Sequence, residues 1–218
     1  SWGADDTKVW IKETGANSWR STGDINDSWT SIKFIATSQL KALEYNGLGC
    51  FNDMDMLICG MNGGGTIGIN DGCTYDEYFT HFALWCLMGS PLMIGCDIRE
   101  MSDETRRILM NDEMIRINQD PLCRQPYKVK NHAWNDKVLI YVKALADGDL
   151  AIGMFNLSDE KSRAAMNLDE IGLPFSTGHT LELTEVWTCE NLCANNASLV
   201  TELEPFASKV YRAKVVKL

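Results

Sequence analysis

The 218-residue chain reads as an α/β segment followed by an antiparallel β domain. Three features carry that expectation. Up to about Cys123, short apolar runs alternate with stretches of helical period. Beyond "NQDPLCRQPY" the pattern becomes β-rich, with no long helix between runs. The composition, 45% hydrophobic and 23% charged, is that of an ordinary globular protein with one or two cores.

The elements follow in order. Residues 28–45 place Trp29, Ile32, Ile35, Ala36, Leu40 and Leu43 on one helical face. "MLICG" (Met56 to Gly60) and "PLMIGCD" (Pro91 to Asp97) are short, apolar and bounded by Asn, Gly or Ser, so they read as buried strands of a parallel sheet. Between them, Thr74 with Glu77 three residues on is a capping-box signature for the helix that follows. Ser102 opens "SDETRRILMN", with acids in the first turn where the macrodipole favours them. Strand, helix, strand, helix implies a sheet with crossover helices. The stretches "KVLIYVKAL", "DLAIGMFNLS", "LELTEVWT" and "SKVYRAKVV" then read as strands, the first two joined by the turn residues "ADGD". The expected boundaries are 1–125 for the α/β part and 126–218 for an antiparallel sandwich. The first part holds at most about four strand–helix units, half of what a closed eight-stranded barrel needs.

Charge and composition exclude several classes. The net charge is −10 with no Lys/Arg run, so nucleic acid and anionic membrane are poor partners. No apolar run approaches the ~18 residues of a membrane span. "SWGADDTKVW" has no basic region leading an apolar core, so it does not read as a signal peptide, and the abrupt start on Ser1 and Trp2 is that of a piece of a longer chain. The eight cysteines contain no C-x-x-C pair, which removes the usual zinc and thioredoxin readings; Cys189 and Cys193 are near enough for a local disulfide. His81, His132 and His179 are scattered, and no metal or other cofactor is expected. "GMNGGGTIG" lacks G-K-[ST], no G-x-S-x-G occurs, and "DINDSW" lacks the Gly of a calcium loop. Asn26, Asn156 and Asn196 head N-x-S/T sequons.

Polar residues gather where strands should end. "RSTGD" runs into Asp24, "FNDMDM" places Asn52, Asp53 and Asp55 around a strand start, and "MIGCD" ends on Asp97. In α/β barrels such positions build the active site. Arg20, four residues before Asp24, falls on the same side of an extended strand and can fork between a sugar hydroxyl and a second acid. A plainer reading stands beside this one: Asp27 reads as the cap of the next helix, Asp24 as either a cap or a site residue, and Asp53 and Asp55 as turn caps.

"GANSWRSTGDINDSW", "FNDMDML", "FALWCLMGSPLMIGCDIR" and "INQDPLCRQ" together resemble, in order and spacing, the family 27 glycoside hydrolases, the α-galactosidases and α-N-acetylgalactosaminidases. The resemblance covers roughly residues 1 to 125; the remainder matches the family's sandwich more in texture than in motif. It implies a fold that is the C-terminal half of a (β/α)8 barrel, from about the end of strand five to strand eight and its helix, followed by the sandwich. It implies retaining hydrolysis of terminal α-linked galactose by two carboxylates, one a nucleophile and one an acid/base. Carried over by motif, Asp24 is the acid/base, Arg20 a galactose ligand, Met56 of "DML" an apolar wall of the sugar pocket, and Trp2 of "SWG" a ring facing the galactose.

The departures are specific. Phe51 stands where the family has Trp, Met54 where it has Pro, and Cys123 where it has Gly. The family's Tyr-x-Lys-x-Asp segment, which carries the nucleophile, does not occur in these 218 residues. The expectation is therefore an α-galactosidase parent and a piece inactive alone. Rival readings are a carbohydrate-binding piece without turnover, and a piece that self-associates or pairs with a missing N-terminal half through its open sheet edge. Within the family, "GADDTKVWIKETGAN" lacks the paired small residues that admit an acetamide, which points to galactose over N-acetylgalactosamine.

Overall fold

The computed structural model describes residues 4, 6–64, 72–194 and 197–218. The chain divides into two units, residues 1–125 and 126–218. Among the described residues no helix is long and apolar enough to cross a membrane.

In the first unit, a short helix α1 (Thr7–Trp10) precedes strand β1 (Ser18–Arg20). Helix α2 (Trp29–Ser38) leads to strand β2 (Phe51–Asp53), which pairs with β1 in parallel, Arg20 opposite Asp53. The sequence places the second strand at Met56–Gly60, but its ladder lies earlier, on the polar "FND". The side chain of the buried Asn52 explains this. Its Nδ2 donates to Gln39 Oε1 at 2.5 Å and its backbone N–H to Asn46 Oδ1 at 2.5 Å, so both kinds of donor on a polar residue are satisfied in the interior. The two apolar runs still meet, at a parallel bridge of Leu57 with Ile94.

α2 is shorter than the expected 28–45. It ends at Ser38 and continues as single 3-10 turns over Gln39–Lys41 and Leu43–Tyr45. Ile32, Ile35 and Ala36 face the core, whereas Leu40 is exposed. Its cap is Ser28, whose Oγ accepts from Ser31 N–H; Asp27, read from sequence as the cap, is used elsewhere. Helix α3 (Tyr75–Met88) has both halves of its capping box and is buried on nearly every side, from Glu77 to Met88. It forms the centre against which α4 (Asp103–Leu109) and α5 (Asp112–Asn118) pack. Ser102 caps α4 as its sequence predicts.

The second unit is all β. Strands β3 (Tyr127–Val129), β4 (Val138–Ala144), β5 (Leu150–Asn156), β7 (His179–Glu185), β8 (Asn191–Cys193) and β10 (Ser208–Lys217) form an antiparallel sheet in the order β3-β4-β5-β10-β7-β8, while β6 (Ser162–Asn167) pairs with β9 (Ser198–Leu203). One core joins the two sheets: Ile140, Val142, Ile152, Met154 and Leu183 from the larger, Met166, Leu199 and Leu203 from the smaller. That is a sandwich in which burial alternates along β6 and much of β7, while the central β4 and β5 are buried along nearly their whole length. The "ADGD" turn joins β4 to β5, Leu145 N–H donating to Asp149 O.

Cys189 and Cys193 are free and exposed rather than bridged. Cys189 sits in the turn after β7 and Cys193 at the far end of extended β8, opposite Glu182, which holds them apart. Asn156 is fully buried with Nδ2 donating to Glu160 O and Glu204 O, so its sequon is used structurally.

Candidate active site

Parallel pairing brings the ends of β1 and β2 to one edge, and the polar residues cluster there. Arg20 closes β1 opposite Asp53, and Ser21 N–H extends the ladder by donating to Asp53 O at 3.1 Å. The chain then turns. Asp24 therefore does not continue an extended strand, as its spacing from Arg20 implies; a loop folds its carboxylate back onto the guanidinium. Arg20 Nη2 donates to Asp24 Oδ1 at 3.0 Å and to Asp55 Oδ2 at 2.6 Å. One nitrogen thus bridges two carboxylates.

The two acids differ in setting. The Asp24 side chain is 77% exposed and the Asp55 side chain 13%. Asp55 Oδ2 also accepts from Ile25 N–H at 2.7 Å, its Oδ1 accepts from Met56 N–H at 2.7 Å, and its backbone carbonyl accepts from Trp85 Nε1 at 2.7 Å. Its own N–H donates to Asp53 Oδ1 at 2.8 Å, and Met54 N–H donates to Ser90 Oγ. Asp53 is the turn cap that the sequence implies. Asp55 is more than that: it is held at φ 79°, a left-handed conformation that a side chain rarely adopts, by five hydrogen bonds. Its Oδ2 holds both Arg20 and, through Ile25 N–H, the Asp24 loop.

A second buried carboxylate fixes the same loop farther on. Asp27, 1% exposed, accepts from Gly63 N–H at 2.8 Å through Oδ2, from Cys73 N–H at 3.1 Å through Oδ1, and from the Tyr78 hydroxyl at 2.9 and 2.8 Å through both oxygens. It ties the loop to the start of α3 and to both ends of the segment 64–72. Burial raises the Tyr78 hydroxyl and the Cys73 thiol above their ordinary values, with the Asp27 carboxylate adding to both. Gly72 must be Gly: at φ 86°, a Cβ there would lie 2.4 Å from Gly63 N and 2.7 Å from Asp27 Oδ2. Asp24 is therefore presented between two pinned points, Ser21, bonded to Asp53 O, and Ile25, bonded to Asp55 Oδ2, with Asp27 fixing the chain just beyond.

Met56 follows Asp55 and is half-buried, with its sulfur so close to Gly95 that a Cβ there would stand 2.9 Å away. Trp2 lies outside the described residues. Asp97 ends its run as expected, but its fork to Arg99 takes it onto the surface, and that hydrogen bonding holds the carboxyl below its ordinary value. His81 is fully buried and accepts from Ile58 N–H through Nε2; burial lowers it to about 3, so it is neutral. Among the described residues no group of three or more His, Cys, Asp and Glu is placed to hold a metal ion.

The architecture is an α/β unit with an Arg-bridged pair of carboxylates at a strand edge, followed by an antiparallel sandwich. The chain belongs to the α-galactosidase A family: that family's model matches residues 6–120, and the α-galactosidase C-terminal β-sandwich model matches residues 135–213. It is 38% identical over 196 residues to α-galactosidase 3 of Arabidopsis thaliana, covering 90% of this chain and 42% of that protein. It is 36% identical over 210 residues to the α-galactosidase of guar, Cyamopsis tetragonoloba, covering 96% and 47%. A crystal structure of an α-galactosidase/melibiase-like chain from Bacteroides fragilis superposes with a TM-score of 0.88 at 34% identity, covering 98% of this chain and 46% of that one. The chain thus spans about half the length of the relatives that it matches.

Proposed function

We propose that this chain is the acid/base-bearing half of a retaining α-galactosidase, with residues 1–125 supplying strands six to eight of a (β/α)8 barrel and residues 126–218 its sandwich. The observation that carries the reading is the Arg20 bridge: a largely exposed carboxylate, Asp24, beside a guanidinium whose other partner, Asp55, is buried and locked. Asp55 fixes the guanidinium, leaving Arg20 to bind a galactose hydroxyl and Asp24 to face the glycosidic oxygen. Met56, immediately after Asp55, walls the sugar pocket, and Trp2 faces the ring.

In this reading a nucleophilic carboxylate attacks the anomeric carbon as Asp24 donates its proton to the departing oxygen, so the C1–O bond breaks while a glycosyl ester forms. Asp24, now ionised, takes a proton from water as that water attacks C1, so the glycosyl-ester bond breaks, the nucleophilic carboxylate is freed and galactose leaves with retention. Retaining enzymes place the two carboxyl groups about 5–5.5 Å apart. The nucleophile's Tyr-x-Lys-x-Asp segment is not among these residues, so the partner of Asp24 comes from the N-terminal half of the barrel and the 218-residue chain alone is inactive.

Turnover of an aryl α-galactoside tests this. The 218-residue chain alone should give none. The same chain joined to the N-terminal half of the guar relative should give turnover that Asp24→Asn abolishes. Turnover by the chain alone, or a folded hybrid whose activity survives Asp24→Asn, overturns the reading.

A further inference from the structure

Of the large apolar side chains exposed among the described residues, Trp134 is the most exposed, at 83%. It lies in the second unit, between β3 and β4, far in sequence from the Arg20 site. An isolated exposed aromatic is ordinary, so its setting decides the matter. The loop beneath it is over-determined. Asn131 Oδ1 accepts from Ala133 N–H at 3.1 Å and Ala165 N–H at 2.9 Å, and Asn131 Nδ2 donates to Asn135 O at 3.1 Å. Asn135 Oδ1 accepts from Lys137 N–H and its Nδ2 donates to Ser162 Oγ. His132 N–H donates to Ala165 O at 2.7 Å, and Glu170 binds both Lys130 N–H and the His132 ring. This rigid frame holds Trp134 at φ 59°, a backbone state that costs a bulky residue free energy, yet the side chain gains no burial for it. Lys130 Nζ sits over the ring, 4.7 Å from its centroid. Around it is a cavity of about 300 Å³ lined by Lys128, Lys130, Asn131, Trp134, Asn135 and Asp136, at the small end of ligand sites.

We propose that this is a saccharide-binding subsite on the sandwich, separate from the Arg20–Asp24 site. Its ligand class is a pyranose with a contiguous C–H face. In galactose the axial O4 leaves the hydrogens on C3, C4 and C5 on one side. That face stacks on the side of the exposed indole opposite Lys130, burying apolar area against a ring carried by a fixed loop. Lys128 and Asp136, at the rim, offer a donor and an acceptor to the ring hydroxyls. The ordering cost that normally weakens such contacts is small, because the loop is already fixed.

Fluorine NMR of the full chain carrying 5-fluorotryptophan tests it. The Trp134 resonance is identified by its loss in Trp134→Phe, a variant that leaves no cavity because the residue is exposed. Titration with methyl α-D-galactopyranoside should shift this resonance saturably, and the shift should persist in Arg20→Ala. Trp134→Ala should weaken binding of the same sugar, read by isothermal titration calorimetry in the Arg20→Ala background, about tenfold or more. Galactitol, the open-chain alditol with no ring face, should give no shift. The proposal is overturned by no saturable shift, by an equal response to galactitol, by loss of the shift in Arg20→Ala, or by a shift that follows protein concentration without sugar, which would make Trp134 a self-association contact.

Discussion

Asp24 and Asp55 share one guanidinium nitrogen, and the structure predicts that removing their charges has very different costs. Asp55 is 13% exposed and accepts three hydrogen bonds, from Arg20, Ile25 N–H and Met56 N–H. Asn keeps its shape and tolerates the left-handed backbone, but it has one acceptor oxygen in place of two. Either Met56 N–H or the Arg20–Ile25 pair then faces an amide NH2. Bonds to charged groups contribute about 1.5–3 kcal/mol each, and a buried donor left without an acceptor costs about 1–3 kcal/mol. Asp55→Asn should therefore cost about 3 kcal/mol. Asp24 is 77% exposed with one bond to Arg20, a pair worth about 0.2–1 kcal/mol. For a chain of this size each kcal/mol moves Tm by about 2–4 °C, giving about 6–12 °C for Asp55→Asn against about 4 °C or less for Asp24→Asn. Thermal melts followed by circular dichroism, checked by urea midpoints at constant m, read both. Equal shifts, or a shift below about 3 °C for Asp55→Asn, would refute the division of labour between anchor and presented acid.

Three further outcomes follow from single groups. Asp27→Asn should lower stability by about 2–4 kcal/mol and speed amide exchange at Gly63 or Cys73, because the two N–H groups use different carboxylate oxygens and one of them then faces an amide NH2; an unchanged urea midpoint contradicts it. His81 has a folded value of about 3 against about 6.5 unfolded, so the unfolded chain binds the proton that the folded one refuses. Stability is then full above about pH 6.5 and falls on acidification, by about 2 kcal/mol at pH 5; His81→Gln, which can still accept from Ile58 N–H, should flatten that part of the pH–stability curve, and an unaltered slope contradicts it. Cys123→Gly should stabilise by about 0.5–1 kcal/mol, because Cys123 sits at φ 50° where the family pattern has Gly; a lower urea midpoint contradicts it.

Much of the chain was legible because local chemistry and tertiary structure agree. The Thr74–Glu77 capping box, Ser102 at the head of α4 and the four long strands of the second unit each follow from short-range pattern. In the main misses the deciding partner is distant in sequence. "MLICG" is more apolar than "FND", but the ladder forms where Gln39 accepts from the Asn52 amide. Asp27 sits one residue before a helix, a position indistinguishable in sequence from a cap, until Gly63, Cys73 and Tyr78 arrive from 36 to 51 residues away. Asp55 looked like a turn residue because Arg20 meets it across 35 residues. Its one local sign was a second acid two positions after Asp53, more than a single turn needs. The short strands β3 and β8 have three residues each, too few to show a period.

The assignment of Asp24 as acid/base is tested most directly by product stereochemistry. The chain joined to the N-terminal half of the guar relative, carrying Asp24→Ala, is given a 2,4-dinitrophenyl α-galactoside and sodium azide. This leaving group departs without a proton, so the glycosyl-enzyme still forms, and azide then replaces the water that Asp24 no longer activates. The account predicts restored turnover and α-galactosyl azide. β-Galactosyl azide, the product expected when a nucleophile is missing, or a hydrolysis rate unaffected by the substitution, would contradict it.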